Sequence, residues 1–301
     1  MVSATFDSLG LTFDPTIALL NHSCNPNCAI VFDGNVASIR SIRDIRSGEQ
    51  LTISYIDNTF KRATRRRQLR DQYFFECHCI GCEPLDKAKG YTGRDSFLCE
   101  KCNETIPEPE LRGEFKCFKC HSEQAISIEA LRSLEVKAFT ALETPPPTMS
   151  ANTLVNEVLL PTLQSLTTCP NWPAIRQPAP SIRRQIYHLS LDSQNFSAAY
   201  HHANLLSTTP LLNIHPEPFH PLKTVAIFTT ASLLALVAAQ EGNVEYLKRT
   251  WELLKLSWGL CRATRGETSD FAKRIAAKRA QVEQDLSMGG EEMRQWLRNN
   301  S

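Results

Sequence analysis

Four cysteines with the spacing C-x2-C-x14-C-x2-C constrain this chain more than any other feature of its sequence. They are Cys99, Cys102, Cys117 and Cys120. Each C-x2-C pair suits a tight turn that directs two thiolates at one point, and a short hairpin can bring two such turns together. The spacing therefore predicts a tetrahedral zinc site. Because all four ligands come from the protein, the predicted site is structural.

A second cysteine group, Cys77-x-Cys79-x2-Cys82, offers three ligands, whereas a structural zinc site takes four. The stretch "NHSCNPNC", residues 21–28, carries further ligand types close to the N-terminus. The candidates for the fourth ligand are His22, Cys24, Cys28 and His78. The spacing does not choose among them, but a cysteine from the early stretch would pin two distant segments together.

Cysteine grouping and charge indicate the class of protein. Nine of the eleven cysteines fall into close groups, and the first twenty residues contain Asp7 and Asp14 but no Lys or Arg. Grouped cysteines without a secretory signal are typical of metal ligands in a reducing compartment, so we expect an intracellular protein. The net charge of +1 argues against attraction of the whole chain to nucleic acid or membranes. A nucleic-acid-binding zinc ribbon is also disfavoured, because basic and aromatic residues are not interleaved around Cys99–Cys120.

The first third of the chain contains β-prone segments and one basic helix. "AIVFDGNVASIRSIRDI" has two β-prone runs around Gly34, which indicates a hairpin. "SGEQLTISYID" predicts an alternating strand from Leu51 to Ile56. "KRATRRRQLRDQYFF" predicts a short helix whose cationic side chains form either a solvated face or a patch for an acidic partner.

The remainder of the chain has a helical pattern. Successive amphipathic stretches separated by Gly, Asn or Pro predict stacked helical hairpins, although no clean repeat can be aligned. Pro221 and Gly242 suit the start and the end of one helix. Gly259 and Gly266 are expected to bound the next turn. The longest apolar stretch, Val225–Ala239, is too short and too polar for a membrane span, so we expect a buried helix.

Three motifs occur in the order found in a known family. "LLNHSCNPN", "GEQLTISYID" and "RRRQLRDQYFFECHCIGC" together resemble the C-terminal half of a SET domain with its post-SET zinc motif. The resemblance is to the SET-and-MYND lysine methyltransferases, including their fungal members, and it covers residues 1–85. The helical remainder is similar to the tetratricopeptide-like domain of that group. The two C-x2-C pairs resemble an extra zinc knuckle of some fungal members.

The resemblance implies an α+β protein with three parts. These are a partial SET domain over residues 1–76, a post-SET and four-cysteine zinc segment over 77–122, and an all-α, tetratricopeptide-like domain over 123–301. It also implies S-adenosylmethionine as cofactor, two structural zinc sites, and a lysine of a histone or another protein as substrate. We therefore expect a chromatin-type enzyme of the nucleus or cytoplasm, with no membrane and no direct nucleic-acid binding.

The resemblance assigns roles to individual residues. Asn21 and His22 match the residues that hold S-adenosylmethionine, and Phe75 matches an aromatic residue that packs on it. Tyr55 matches the tyrosine beside the methyl-transfer channel. Cys24 matches the fourth ligand of the three-cysteine zinc site, which leaves the second cysteine of the early stretch as a spare.

The chemistry of methyl transfer requires this kind of site. Transfer from a sulfonium to a lysine amine is an in-line displacement, for which a protein supplies alignment and a dry channel. The amine must be deprotonated to attack, and desolvation of the lysine favours its neutral form. A tyrosine hydroxyl at the channel can orient the amine without itself titrating. Tyr55 is therefore the candidate catalytic residue.

The chain departs from the family pattern ahead of Asn21. Its first sixty residues contain no G-x-G, no MYND cysteine array precedes Asn21, and Ser3 stands near a position where the family often carries a cofactor-contacting Asn. The strands that would wall one side of the cofactor and substrate channels are missing. We expect a truncated or mis-started product of a protein-lysine methyltransferase gene. The alternative is a catalytically inactive, zinc-containing protein-interaction module.

From this departure we expect the 301-residue chain to bind S-adenosylmethionine weakly or not at all. Without the preceding strands, one side of the cofactor stays in water and fewer groups are available to hold it. Isothermal titration calorimetry on the purified chain measures this directly. A dissociation constant in the micromolar range would contradict the expectation.

Overall fold

The computed structural model describes residues 14–83, 93–108, 115–144, 149–208, 215, 217–289 and 291–300, and Ser3 lies outside them. The chain divides into two compact units. The terminal unit comprises Met1–Tyr55 and His215–Ser301, and the central unit comprises Ile56–Ile214. The domain boundaries after residues 76 and 122 stay a prediction.

Six short strands and eleven α-helices occur in the described part of the chain, which confirms the α+β class. The strands are β1 (Asn21–His22), β2 (Cys28–Asp33), β3 (Val36–Ser41), β4 (Thr52–Ile53), β5 (Ser96–Leu98) and β6 (Thr105–Pro107). The helices are α1 (Pro15–Ala18), α2 (Arg62–Tyr73), α3 (Ile128–Glu143), α4 (Ala151–Thr153), α5 (Leu160–Thr167), α6 (Ala179–Asp192), α7 (Phe196–Thr208), α8 (Pro221–Glu241), α9 (Val244–Thr264), α10 (Asp270–Ser287) and α11 (Glu291–Asn300). The strands pair as β1–β4, β2–β3 and β5–β6.

The predicted hairpin is confirmed as the antiparallel pair β2–β3, with Gly34 at φ +57° in its turn. Its tip is anchored to the start of α10 within the terminal unit. The backbone N–H of Asp270 donates to Oδ1 of Asp33 at 2.9 Å, and Nη1 of Arg265 donates to the carbonyl of Phe32 at 3.4 Å. A carboxylate at the first turn of a helix satisfies an unpaired N–H and complements the helix dipole. Asp33 therefore ties the hairpin to a helix near the other end of the chain.

The predicted strand from Leu51 to Ile56 is wrong in its length. It shortens to the two residues of β4, which pair in parallel with β1. The strand ends there because the backbone N–H of Tyr55 donates to Nδ1 of His22, 3.0 Å distant, instead of to a neighbouring strand. A side chain of β1 thus replaces a further rung of the β-ladder.

A buried asparagine holds the segment around β4 in place. Nδ2 of Asn27 donates to the carbonyl of Gln50 at 2.8 Å and to Oε1 of Glu49 at 3.0 Å. Its Oδ1 accepts the backbone N–H of Thr52 at 2.8 Å. Glu49 also accepts a hydrogen bond from Nη2 of Arg43 at 2.6 Å. One side chain therefore satisfies several polar groups of the turn before β4.

For the helices of the terminal unit, one prediction is confirmed and another is wrong. As predicted, α8 begins at Pro221 and ends before Gly242, which takes φ +62° as the C-cap. Gly259 lies inside α9 and does not bound a turn, so that prediction is wrong. The helix continues through Gly259 because Trp251, Leu254 and other side chains of α9 are buried in a core shared with α8 and α10.

Helix α8 is long and apolar enough to cross a membrane by length and composition alone, and among the described helices it is the one that meets this test. Half of its apolar window is buried inside the protein. Core helices of water-soluble proteins meet the same test. The predicted buried helix is thus present, with one face in the core.

The central unit is built around α3, α5 and α6, which share a core with the four-cysteine segment. The buried residues of this core include Phe97, Cys99, Ile106, Cys117, Leu131, Leu159, Leu166 and Ile182. A π-helical turn, Leu154–Leu159, joins α4 to α5 just before Pro161. Proline has no N–H to donate, so an altered hydrogen-bond pattern at this point lets the helix continue.

The basic helix α2 is present and part of its cationic face is exposed, as predicted, but one of its arginines lies in the core. Arg65 is fully buried and donates to the carbonyl oxygens of Phe60 and Gly81. Arg66 pairs with Glu76 at 2.9 Å. Through these two bonds Arg65 connects the start of α2 to the chain of the three-cysteine group.

The core of the terminal unit can be tested with two leucines of α9. Leu254→Ala removes a fully buried side chain and is expected to lower the free energy of unfolding by about 2–5 kcal/mol, measured by urea titration. Leu256→Ala, on the same helix but 53% exposed, is the matched control, with an expected loss of about 0.5 kcal/mol or less. Equal losses at the two positions would contradict this packing.

The turn around Glu49 makes a prediction about pH. Hydrogen bonds from Arg43 and the backbone N–H of Arg46 lower the pKa of Glu49 to about 2. The pKa of an unfolded Glu is about 4.3, so Glu49 stabilises the fold fully above that pH, and its contribution is lost as the pH falls towards 2. The difference in urea midpoint between the wild type and Glu49→Gln should therefore be larger at pH 6 than at pH 3.

The control for Glu49 is Asp44→Asn, which changes an exposed carboxyl of the same loop. The change in the Glu49→Gln midpoint difference between pH 6 and pH 3 is compared with the change for this variant. A Glu49→Gln difference that stays constant with pH would show that these hydrogen bonds do not stabilise the ionised carboxyl.

Candidate functional site

The first C-x2-C pair lies on a turn between β5 and β6. The backbone N–H of Asn103 donates to the carbonyl of Cys99 at 2.9 Å. The N–H of Cys99 donates to the carbonyl of Glu104 at 2.8 Å. These two bonds fold the six residues back on themselves and direct both cysteine side chains to one side of the turn.

The second C-x2-C pair repeats the same backbone pattern. The N–H of His121 donates to the carbonyl of Cys117, and the N–H of Cys117 donates to the carbonyl of Ser122, both at 2.9 Å. Asn103 and His121 hold matching positions and take φ +55° and +58°. Both residues are in the left-handed region that such a tight turn requires. The two pairs therefore sit on equivalent turns, as their equal spacing predicts.

The four sulfur atoms of Cys99, Cys102, Cys117 and Cys120 lie within 4.8 Å of one another. Two hydrogen bonds join the turns: the N–H of Glu100 donates to Oε1 of Gln124 at 2.9 Å, and Oε1 of Glu100 accepts the N–H of Ala125 at 3.0 Å. Four thiols held at this separation can coordinate one zinc ion tetrahedrally.

Proton affinity differs among these sulfurs. Burial raises the pKa of Cys99, but hydrogen bonds from the Ser122 hydroxyl and from backbone N–H groups outweigh it and lower that pKa to about 5. The backbone N–H of Glu104 lowers the pKa of Cys102, yet burial and hydrogen bonds with the other cysteines raise it to about 12. Crowded thiols that share protons in this way lose them when a metal binds, so the donor set fits zinc.

The three-cysteine group lies in the central unit. The sulfur atoms of Cys77, Cys79 and Cys82 lie within 4.8 Å of one another, and a 3-10 turn, Ile80–Cys82, brings the last of them back towards the first two. Burial raises the pKa of Cys77. Three thiols at this separation leave one place of a tetrahedral zinc site to be filled. Cys24 belongs to the terminal unit, and its part as the fourth ligand stays a prediction.

The structure brings three of the predicted functional residues together in the terminal unit. The N–H of Tyr55 donates to Nδ1 of His22, and the two rings lie 5.3 Å apart between centroids. The hydroxyl of Tyr55 donates to the carbonyl of Leu20, directly before Asn21. Nε2 of His22 lies 3.2 Å from Sγ of Cys24. The stretch at residues 20–24 and the end of β4 thus form one hydrogen-bonded cluster.

The other early residues are placed separately. Phe75 is half-buried in the central unit, just past α2. Cys28 is buried on β2 opposite Ser41, and its burial raises the pKa of its thiol. Asn27 was missed by the sequence interpretation, although its buried amide holds β4 in place. The available signal was its position after Pro26 in a stretch with two other asparagines, since a turn residue of this kind often bonds to nearby backbone.

A comparison with protein families agrees with this geometry. Residues 3–56 match the SET domain. Histone-lysine N-methyltransferase SMYD3 of Mus musculus is 41% identical over 115 residues, which are 38% of this chain and 27% of that protein. SET domain and MYND-type zinc finger protein 6 of Schizosaccharomyces pombe is 49% identical over 83 residues, which are 28% of this chain and 17% of that protein.

A longer and weaker similarity extends into the helices. Histone-lysine N-methyltransferase ASHR1 of Arabidopsis thaliana is 25% identical over 285 residues, which are 92% of this chain and 57% of that protein. The chain thus spans between 17% and 57% of the length of these three relatives. The SET-domain match and these similarities together show that the chain is similar to the SET-and-MYND lysine methyltransferases.

Proposed function

We propose that this chain is part of a protein-lysine N-methyltransferase that transfers a methyl group from S-adenosylmethionine to a lysine amine. The observation that carries the proposal is the contact between Tyr55 and the Asn21–His22 strand, inside the segment that matches the SET domain. The names of the mouse and Arabidopsis relatives describe histone-lysine methyltransferases, which supports the same reaction class. A histone or another protein is the proposed substrate.

The residues around β1 suit a ligand with polar groups at both ends. Asn21 is exposed and offers its side-chain amide, while the ring nitrogens of His22 already bond to Tyr55 and lie against Cys24. We therefore assign the side chain of Asn21 and the main chain of His22 to the cofactor. Phe75 is the proposed aromatic contact. S-adenosylmethionine, when bound, supplies the methyl group on a sulfonium centre.

Tyr55 is the proposed catalytic residue. Its hydroxyl donates to a backbone carbonyl, and a tyrosine oxygen can also act as a hydrogen-bond acceptor. An oxygen at this position can accept a hydrogen bond from the substrate amine and hold the nitrogen lone pair in line with the methyl group. The lysine enters neutral, because a desolvated channel disfavours its charged form. Tyr55 therefore contributes alignment of the amine and does not transfer a proton.

Both proposed zinc ions are structural. The four-cysteine group would hold one ion, and Cys24 would complete the three-cysteine group around the other. Four thiolates leave no coordination position for water or substrate, so neither ion takes part in the reaction. Each would add to the free energy of folding of a segment with little core of its own.

The proposed setting is the nucleus or the cytoplasm, because free thiols in metal-binding groups persist in a reducing compartment. A catalytically inactive protein-interaction module is the second candidate. It is favoured by the exposed apolar side chains of Phe74, Ile80 and Phe118 around the two cysteine groups. Activity measurements separate the two candidates.

The central test is Tyr55→Phe in the longest protein that the transcript of this gene encodes. Methyl transfer from radiolabelled S-adenosylmethionine to histones and cell proteins should fall by about 100-fold, because the oxygen that orients the amine is lost. Zinc content, measured by mass spectrometry of the metal, should stay at about two ions per chain.

Tyr246→Phe is the control, since Tyr246 is a partly exposed tyrosine of α9 in the same unit. It should change neither methyl transfer nor zinc content. A wild type that holds two zinc ions but transfers no methyl group would favour the interaction module. A wild type without zinc would contradict both metal sites.

A further inference from the structure

We propose that His22 is a positioning residue that connects a zinc-bound thiolate of Cys24 to the main chain of Tyr55. The proposal rests on the proposed role of Cys24 as a zinc ligand. It gives the side chain of His22 a structural and electrostatic task, distinct from contact with the cofactor. The three residues belong to the terminal unit, so their contacts are those of one compact body.

The hydrogen bonds determine which ring nitrogen of His22 carries the proton. A backbone N–H can only donate, and the N–H of Tyr55 lies 3.0 Å from Nδ1 of His22. Nδ1 must therefore present its lone pair, and the proton of the neutral ring is on Nε2. Nε2 lies 3.2 Å from Sγ of Cys24 and points its N–H at that sulfur. The ring is a donor to Cys24 and an acceptor for Tyr55.

An N–H that points at sulfur favours the thiolate form of the cysteine. A neutral thiol is a weak acceptor, whereas a thiolate forms a stronger, charge-assisted hydrogen bond. Metal-bound thiolates keep part of their negative charge, and groups that hydrogen-bond to a ligand orient it and tune its affinity for the metal. The side chain of His22 is thus suited to the ligand form of Cys24.

The main chain around His22 is held in place, so its ring can move only by rotation about the side-chain bonds. The N–H of Ser23 donates to the carbonyl of Ile53 at 2.9 Å, and β1 pairs with β4 on the same side. Oδ1 of Asn27 accepts a hydrogen bond from the backbone N–H of Thr52. The main chain therefore keeps the ring of His22 between Cys24 and Tyr55. The hydrogen bonds to both residues depend on this one ring.

The consequence is a coupling between metal retention and the tyrosine. Loss of the metal would remove the thiolate charge that the N–H of Nε2 faces. The ring could then rotate, and Nδ1 would lose its hydrogen bond from the N–H of Tyr55. Loss of the His22 ring would in turn weaken the metal site. The zinc ion would in this way help to hold the residue that aligns the substrate, although it lies outside the reaction.

Two variants test the two ring nitrogens of His22 separately. His22→Asn places an amide oxygen near the position of Nδ1, where it can accept from Tyr55, but it does not reach Cys24. His22→Gln can place an amide N–H near the position of Nε2, where it can donate to Cys24, but it removes the Nδ1 acceptor. His201→Asn, which changes an exposed histidine of α7 away from both cysteine groups in the sequence, is the control.

The full chain is loaded with cadmium-113 and its two expected metal resonances are recorded by NMR. In His22→Asn one resonance should shift and the other should stay, and zinc should leave that site about 10- to 100-fold more readily in the presence of a chelator. In His22→Gln both resonances should stay close to the wild type, while the amide resonance of Tyr55 should move. The unchanged resonance of the four-cysteine site reports that the chain is folded.

The outcomes distinguish this proposal from the proposed function. A wild type with two resonances, and a His22→Asn chain with the same two resonances and the same zinc retention, would overturn the role of His22 and leave both zinc sites intact. A wild type with one resonance, lost on substitution of Cys102, would remove the metal from Cys24 and overturn the proposal together with that site. A shift of equal size in His201→Asn would show that the effect is not specific to His22 and would overturn the proposal.

Discussion

The arrangement of the SET segment depends on one buried amide. Asn27 bonds to Glu49, Gln50 and Thr52, and so fixes the chain that enters β4. With Thr52 held, β4 can pair with β1, and the main chain can turn after Ile53 to present the N–H of Tyr55 to His22. Pairs of two residues have little stability by themselves. The cluster of predicted cofactor and catalytic residues therefore relies on side-chain hydrogen bonds more than on its sheet.

The short strands of the central unit are likewise stabilised by side chains, here by a buried cluster of aromatic and charged residues beside the cysteine turns. The ring of Phe97 packs edge-on against Trp172, with centroids 5.8 Å apart, and the guanidinium of Arg176 lies over Phe97 at 4.0 Å. Arg176 also pairs with Glu135 at 2.9 Å. A buried charge is tolerated only where it is paired, so these contacts are mutually dependent. The cysteine turns are joined to this core, which orients four sulfurs before any metal binds.

Local features were predictable from the sequence, and distant partners were not. The β2–β3 hairpin, helix α2 and the ends of α8 each depend on residues close in the chain, and each prediction is confirmed. The spacing of Cys99 to Cys120 brings four sulfur atoms together, while the zinc ion at this place stays a prediction. The length of β4, the burial of Arg65 and the role of Asn27 were missed. Each depends on a side chain that bonds to a residue outside its own helix or strand, and periodicity carries no information about such pairs. The roles of Tyr55, Asn21, His22 and Phe75 stay predictions, since they require bound ligands.

The bond between Asp33 and the start of α10 has a consequence for biosynthesis. Its two ends, Asp33 and Asp270, are separated by 237 positions in the chain. The residues of the central unit all leave the ribosome before α10 is made, so that unit can fold while the β2–β3 hairpin still lacks its partner. The β2–β3 hairpin is thus made before the central unit, but its bond to α10 can form only after that unit has been synthesised.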